Sequence, residues 1–166
     1  MPLKTSQLAV MLASLFAAAI TLSFTELSPL LAQLDQQTFT TQMSGNEEVP
    51  PVESLASGTA EFNLSSDGNS IGYQLKVTEM SGITAAHIHS GNVGENGPVI
   101  VTLFGSDTPS DLINGLLSEG TISASDLEGP MEGKEISDLV SAMSNGVTYV
   151  NVHTQTNPDG EIRGQI

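Results

Sequence analysis

The sequence predicts an all-β protein, either an antiparallel sandwich or a barrel, with one short helix. Short segments with alternating apolar residues are separated by turn residues, a pattern typical of antiparallel sheets. Valine, isoleucine, leucine, threonine and serine dominate while tryptophan is absent, which favours strands around an aliphatic core. After the apolar N-terminal run, a single segment has apolar residues at helical spacing. The fold class follows from these three observations.

The alternating segments predict the strands in chain order. Residues 58–65 and 71–77 each place their apolar residues on one face, and the SDGN sequence between them predicts a tight hairpin turn. The helix is expected at residues 135–143, where Asn145 and Gly146 would end it. Further strands are expected at residues 38–43, 83–89, 98–104, 147–154 and 161–166, with a strand or short turn at 116–122.

The first 32 residues have the layout of a secretory signal. Lys4 precedes an apolar run over residues 8–22, and a cut after Ala32 would leave a domain of residues 33–166. An uncleaved membrane anchor is the alternative, because a spanning helix needs about 20 apolar residues. The chain length suits one domain with this appendage. We therefore expect a single β domain that is secreted or periplasmic.

Charge and composition disfavour several partners and chemistries. The chain has 19 acidic and 4 basic residues, for a formal net charge of −15, and its few cations form no cluster. Nucleic acid and anionic membranes would therefore repel it. Cysteine is absent, which removes disulfides, thiolate nucleophiles and cysteine metal sites. Any chemistry of this chain must use oxygen and imidazole groups.

Three histidines are predicted to avoid the core side of the sheet. Side chains alternate along a strand, so His87 and His89 in the sequence AHIH lie on the same face. In the sequence YVNVHT, His153 shares a face with Tyr149 and Asn151, and the valines between them form the opposite, apolar face. If the two strands are neighbours, all three imidazoles come together.

Converging imidazoles predict a copper(II) or zinc(II) site, because neutral imidazole suits both ions and strands hold the nitrogens in place. The alternative is structural: ring nitrogens on a polar strand face hydrogen-bond to nearby carbonyls and to Asn151. A metal site requires that one ring nitrogen each of His87, His89 and His153 can lie about 2.0 to 2.1 Å from a single ion. The structural interpretation does not require this. The sequence leaves both open.

Two charged residues on the last strand are expected near the histidines. Glu161 would support a metal or a histidine from outside the ligand set, or it would form an ion pair with Arg163 on the same face. The ion pair is the favoured interpretation. As one of 4 basic residues, Arg163 would alternatively neutralise carboxylates near the site.

Two loops receive structural interpretations. Gly91, Gly94 and Gly97 are expected in turns that need positive φ, since no lysine and helix follow them as in a phosphate-binding loop. Glu47 and Glu48 lie in a proline-rich loop and are expected to be solvated. Neither loop predicts catalysis.

Enzyme classes receive little support from the residues. The sequence has no G-x-S-x-G motif to present a nucleophile. The H-x-H pair is similar to one in copper/zinc superoxide dismutase, but this chain has only 3 histidines and no cysteine, fewer groups than that metal site and its disulfide need. We therefore expect no catalytic activity.

Three segments resemble the CHRD domain family, named for the domain found in chordin. They are residues 43–62, residues 86–104 with the AHIH-x-G element, and residues 149–166 with YVNVHT and NP-x-GEIRGQ. The resemblance spans residues 39–166 and implies a Greek-key, immunoglobulin-like β-sandwich. It also implies an extracellular setting, since chordin is an extracellular antagonist of growth factors, but it supplies no reaction.

Residues and resemblance together predict an exported, non-enzymatic binding module. Its partner would be an unknown protein or matrix component, and nucleic acid and membranes are not expected beyond an uncleaved N-terminal segment. The alternative function is copper or zinc binding outside the cytoplasm through His87, His89 and His153.

Overall fold

The structure, a computed structural model, describes residues 37–166. The expected signal segment, residues 1–32, lies outside these residues. Within the described range, no helix has the length and apolar content needed to cross a membrane.

The described chain forms eight strands in one sheet, and every pair of neighbouring strands is antiparallel. One α-helix, α1 (Ile136–Ser144), and three short 3-10 helices accompany them. The strands are β1 (Thr38–Ser44), β2 (Ser57–Leu64), β3 (Ile71–Met80), β4 (Ile83–Ser90), β5 (Val99–Gly105), β6 (Ile113–Ile122), β7 (Thr148–Thr154) and β8 (Ile162–Gln165). Their order in the sheet is β5-β4-β7-β8-β1-β2-β3-β6.

The predicted strands and helix are confirmed. The SDGN turn joins β2 and β3 in register from Leu64 and Ile71, and Gly146 has the positive φ of 67° expected of a residue that ends a helix. The segment at residues 116–122, expected as a strand or short turn, belongs to a full strand, β6, which begins at Ile113, earlier than the apolar pattern indicates. Register shifts against β3 explain why that pattern is irregular.

A short connection requires the sheet to curl. Strands β3 and β4 are seventh and second in the sheet order, about 24 Å apart if the sheet were flat. Only two residues separate Met80 from Ile83, and three Cα steps span at most about 11 Å. The two strands must therefore face each other across the interior.

The two edges of the curled sheet are joined by side chains. The Tyr73 hydroxyl on β3 and the Ser118 hydroxyl on β6 both donate to the Leu103 carbonyl on β5, at 2.7 and 2.8 Å. The predicted all-β antiparallel class with one helix is thus confirmed. The sandwich takes the form of one nearly barrel-shaped sheet whose two halves enclose the core.

The interior is aliphatic, as the composition predicts. Phe62, Leu75, Ile88 and Val150 are each 0 % exposed, and full burial of such side chains contributes about 1.5 to 3 kcal/mol each. Helix α1 contributes the buried side chains of its apolar face, which are Ile136, Leu139 and Met143. Because side chains alternate along strands, the residues between the core positions of β4, β7 and β8 lie on the outside of the barrel.

Candidate functional site

The predicted site residues occupy the outer face of three neighbouring strands. His87 on β4 lies opposite Asn151 on β7, and Asn151 lies opposite Arg163 on β8. His89 lies opposite Tyr149 on the same two strands. Strand pairing thus brings distant parts of the chain into one polar patch outside the core.

The structure brings the three histidines together in what we call the imidazole cluster, which consists of His87, His89 and His153. Nδ1 of His87 lies 3.0 Å from Nε2 of His153. One ring nitrogen from each histidine lies within 4.8 Å of the others. His89 is buried, whereas the other two are half-buried, so His87 and His153 are partly accessible to solvent.

Backbone carbonyls set the tautomers of two of these rings. Nδ1 of His89 lies 2.9 Å from the Gly97 carbonyl, and Nδ1 of His153 lies 2.9 Å from the Pro158 carbonyl. Because a carbonyl only accepts, both Nδ1 atoms carry the proton and both Nε2 atoms carry a lone pair. His87 must then donate from Nδ1 to His153. No donor within residues 37–166 reaches the buried Nε2 of His89.

The cluster is neutral at physiological pH. Burial, together with the neighbouring His153 and His89, lowers the pKa of His87 to about 4. Burial also lowers the pKa values of His89 and His153, although their carbonyl partners act in the opposite direction. All three rings therefore offer lone pairs instead of positive charge.

Tyr149 and Arg163 form a stack beside the cluster. The Tyr149 ring lies nearly parallel to that of His89, with centroids 4.8 Å apart and planes at 10°. The Arg163 guanidinium lies 3.5 Å from the centroid of the Tyr149 ring, within cation–π distance. The stack restrains the plane of the His89 ring.

Arg163 also anchors the glycine loop, residues 91–97, to the sheet. It is 2 % exposed and donates to the carbonyls of Asn92 and Glu95 and to Oδ1 of Asn96, at 2.9 to 3.1 Å. These oxygens stabilise the buried positive charge.

The favoured ion pair between Glu161 and Arg163 is wrong. The Glu161 carboxylate accepts from the hydroxyls of Ser54 and Thr154, at 2.8 and 2.7 Å. Glu161 precedes β8, so strand alternation does not hold it on the face of Arg163. Arg163 obtains its oxygen acceptors from the loop instead, and neither residue contacts the imidazole cluster through these bonds.

Glu48, which the sequence placed in solvent, is buried at the centre of the same patch. It is 5 % exposed, and Nδ2 of Asn151 donates to both of its carboxylate oxygens at 3.1 Å, so within residues 37–166 the Asn151 side chain hydrogen-bonds to Glu48 and to no histidine. Burial raises the pKa of Glu48 to about 7, although the nearby Arg163 lowers it. Glu47 is exposed as predicted. Nothing in the local sequence distinguishes the two glutamates.

The glycine loop needs its glycines for two different reasons. Gly94 has φ of 78°, as predicted for all three positions. Gly91 and Gly97 do not have positive φ, so that prediction is wrong for them. A Cβ at Gly97 would overlap the Ser90 carbonyl, and one at Gly91 would lie 3.0 Å from the Tyr149 ring. Close packing therefore requires these two glycines.

Comparisons with known proteins identify the family that the sequence motifs resemble. Residues 39–166, most of the chain, match the CHRD domain family model. Chordin of Xenopus laevis is 28 % identical over 136 residues, which cover 75 % of this chain and 12 % of chordin. The chain thus spans about one eighth of the length of that relative. No solved structure matches it. The chain belongs to the CHRD domain family.

Proposed function

We propose that this chain is an exported, non-enzymatic binding module and that the imidazole cluster is its binding site. One observation carries the proposal: the cluster lies outside the core, with a buried Nε2 on His89 that no donor of residues 37–166 reaches. A buried polar atom without a partner costs about 1 to 3 kcal/mol. A ligand that bonds to this atom would remove that cost.

The surrounding groups support binding over catalysis. In residues 37–166, the hydrogen bonds of the three imidazoles run to backbone carbonyls and to one another. A serine or threonine nucleophile would instead need a hydroxyl hydrogen-bonded to one of these rings. The predicted signal segment and the absence of cysteine are compatible with a role outside the cytoplasm.

Charge narrows the class of macromolecular partner. With a formal net charge of −15, the domain is attracted to basic surfaces and repelled by anionic ones. A protein or matrix component with a basic surface is therefore the partner we propose to test first.

Thermal unfolding in the presence of ligands tests the proposal. The full chain and a variant with His87, His89 and His153 all changed to alanine are heated with separate candidates: metal ions, basic matrix proteins and glycans. A ligand at 100 times its Kd should add about 2.7 kcal/mol to the stability of the full chain and leave the variant unchanged. Equal shifts for both proteins would place binding elsewhere, and turnover of a ligand would contradict the non-enzymatic role.

Export is tested separately by fractionation. A bacterial host expressing the full chain should hold the protein in the periplasm or medium. Removal of residues 1–32 should retain it in the cytoplasm. Retention of the full chain in the cytoplasm would contradict export.

A further inference from the structure

We propose that the imidazole cluster binds one transition-metal ion, and that it binds copper(II) more tightly than zinc(II). The ligands are Nε2 of His89, Nε2 of His153 and Nδ1 of His87. The ion would occupy the binding site proposed above, so the inference rests on that site. It also names the chemical class of the ligand.

The lone pairs of two ligands are already set by the backbone. Nδ1 of His89 and Nδ1 of His153 each donate to a carbonyl at 2.9 Å, which leaves a lone pair on each Nε2. The lone pair of His89 has no donor within residues 37–166, and that of His153 accepts from Nδ1 of His87. Histidines that bind metals commonly donate their other ring nitrogen to a carbonyl or carboxylate in this way, and the bond sets both tautomer and ring orientation. The Tyr149 stack on His89 adds a second restraint on that ring.

The distances between the nitrogens suit a single ion. Two nitrogens bound at about 2.0 to 2.1 Å lie about 2.9 Å apart at a right angle and about 3.3 Å apart at a tetrahedral angle. The 3.0 Å between Nδ1 of His87 and Nε2 of His153 falls in that range. One ring nitrogen of each histidine lies within 4.8 Å of a ring nitrogen of the other two. The upper separation of 4.8 Å exceeds the spacing of opposite ligands, about 4.1 Å, by about 0.7 Å and the tetrahedral spacing by about 1.5 Å, so closure requires ring movements of that size.

One ring changes its tautomer when the ion binds. Nδ1 of His87 donates a proton to Nε2 of His153, so this hydrogen bond must break for both nitrogens to coordinate. The proton leaves Nδ1 of His87 for solvent, and Nε2 of the same ring takes one from solvent. The imidazole stays neutral, and no net proton is released.

The composition of the ligand set favours copper(II). Its three ligands are imidazole nitrogens, and the chain contains no cysteine to favour zinc through thiolate bonds. A nitrogen site of this kind follows the general order of divalent affinities, in which copper(II) exceeds zinc(II). Three protein ligands leave at least one further position for water or a substrate.

Calorimetric titration of the full chain with each ion tests the inference. We expect one equivalent to bind, copper(II) more tightly than zinc(II). Affinity should fall at least about 100-fold in the triple alanine variant, since even changes outside a ligand set cost about 10- to 100-fold. The same affinity in the full chain and the variant, or tighter binding of zinc(II), would overturn the inference.

A spectroscopic measurement keeps the test decisive if the triple variant fails to fold. The paramagnetic resonance spectrum of the copper(II)-loaded full chain should show coupling to three imidazole nitrogens. A spectrum with only oxygen ligands would assign the ion to surface carboxylates and reject the site.

Glu128→Gln is the matched control. Its carboxylate accepts from the Thr102 hydroxyl at 2.7 Å and acts electrostatically on His87, but it lies outside the proposed ligand set. The variant should keep one equivalent of copper(II) and the three-nitrogen spectrum. A loss equal to that of the triple variant would contradict the all-imidazole set.

Experiment can reject the metal site without rejecting the imidazole cluster as the binding site. A basic protein partner that binds the full chain in the presence of a chelator, and not the triple variant, would reject the metal and keep the cluster as the binding site. If metal and partners bind both proteins equally, both proposals are rejected.

Discussion

The outer face of β4, β7 and β8 has two halves that use buried polar groups differently. The imidazole cluster consists of neutral rings whose nitrogens converge. The other half, which we call the anchored half, consists of Glu48, Asn151 and Arg163 beneath the neighbouring loops. Its arginine donates to loop oxygens and is buried at 2 % exposure. Within residues 37–166 each half holds one buried acceptor without a partner, Nε2 of His89 in the cluster and Oδ1 of Asn151 in the anchored half. The comparison teaches that burial and an unpaired acceptor do not by themselves indicate a binding site, whereas the convergence of three ring nitrogens does.

Removal of the anchored cation should have the largest effect. Arg163→Ala leaves the carbonyls of Asn92 and Glu95 without their donor and removes the stack on Tyr149, so we expect a loss of about 3 kcal/mol in the free energy of unfolding. His153→Ala, which removes a half-buried ring bound to one carbonyl, should cost about 1 kcal/mol. Urea denaturation measures both.

Arg163→Lys is the control for charge. Lysine keeps the positive charge but cannot reproduce the planar set of donors, so its stability should lie between those of wild type and Arg163→Ala. If Arg163→Ala lowers the free energy of unfolding no more than His153→Ala does, the anchored half does not contribute more to stability than the imidazole cluster.

Gly97 links the imidazole cluster to Tyr149, the ring that stacks against Arg163 of the anchored half, and its replacement should have the next largest effect. Its carbonyl accepts from His89 and its N–H donates to the Tyr149 hydroxyl, while a Cβ would overlap the Ser90 carbonyl. Gly97→Ala should cost about 2 to 3 kcal/mol through overpacking. Gly94→Ala is the matched control: it has positive φ but open space, so it should cost about 1 kcal/mol. Equal losses would argue against the close-packing role.

The contributions of the two halves to the free energy of unfolding should change with pH in opposite directions. Folded His87 has a pKa of about 4, below the ordinary value of 6.5, so the unfolded chain binds more protons between these values. Its contribution to stability is lost as pH falls through that range. Glu48 has a raised pKa of about 7 instead of 4.5, so the folded chain binds more protons and stability falls as pH rises from 4.5 to 7.

Glu48→Gln separates these contributions. The variant should gain stability relative to wild type as pH rises from about 4.5 to about 7. The triple alanine variant, which lacks the histidine contribution, should gain relative to wild type as pH falls over the range from 6.5 to about 4. Urea midpoints across this range measure both differences. Parallel pH curves for wild type and Glu48→Gln would contradict the assignment to Glu48.

Tyr149→Phe should have one of the smallest effects on stability, similar to that of His153→Ala. It removes the hydroxyl that accepts from the Gly97 N–H at 3.1 Å. The aromatic ring at position 149 remains and still stacks between His89 and Arg163. We expect a loss of about 1 kcal/mol in unfolding free energy and unchanged copper(II) affinity. A fall in affinity similar to that of the triple alanine variant would instead make the hydroxyl part of the site.

Much of the site was predictable from the sequence because successive side chains of a strand point to alternate faces of the sheet. The period of two places His87 and His89 on one side of β4, and it places Tyr149, Asn151 and His153 on one side of β7. The same rule failed for Glu161, which lies before β8 begins, and it gave no information about Glu48, which lies in a loop.

The sequence by itself determined the all-β class, the positions of the strands and helix, and the side of each strand on which the histidines lie, because these follow from short-range periodicity and turn residues. Only the tertiary structure decided that β4 pairs with β7, that Glu48 is buried beside Asn151, and that Arg163 binds the glycine loop instead of Glu161. Each of these contacts joins residues about 60 or more positions apart in the chain. Their formation depends on how the whole sheet curls and which loops cover it, and no local pattern records that.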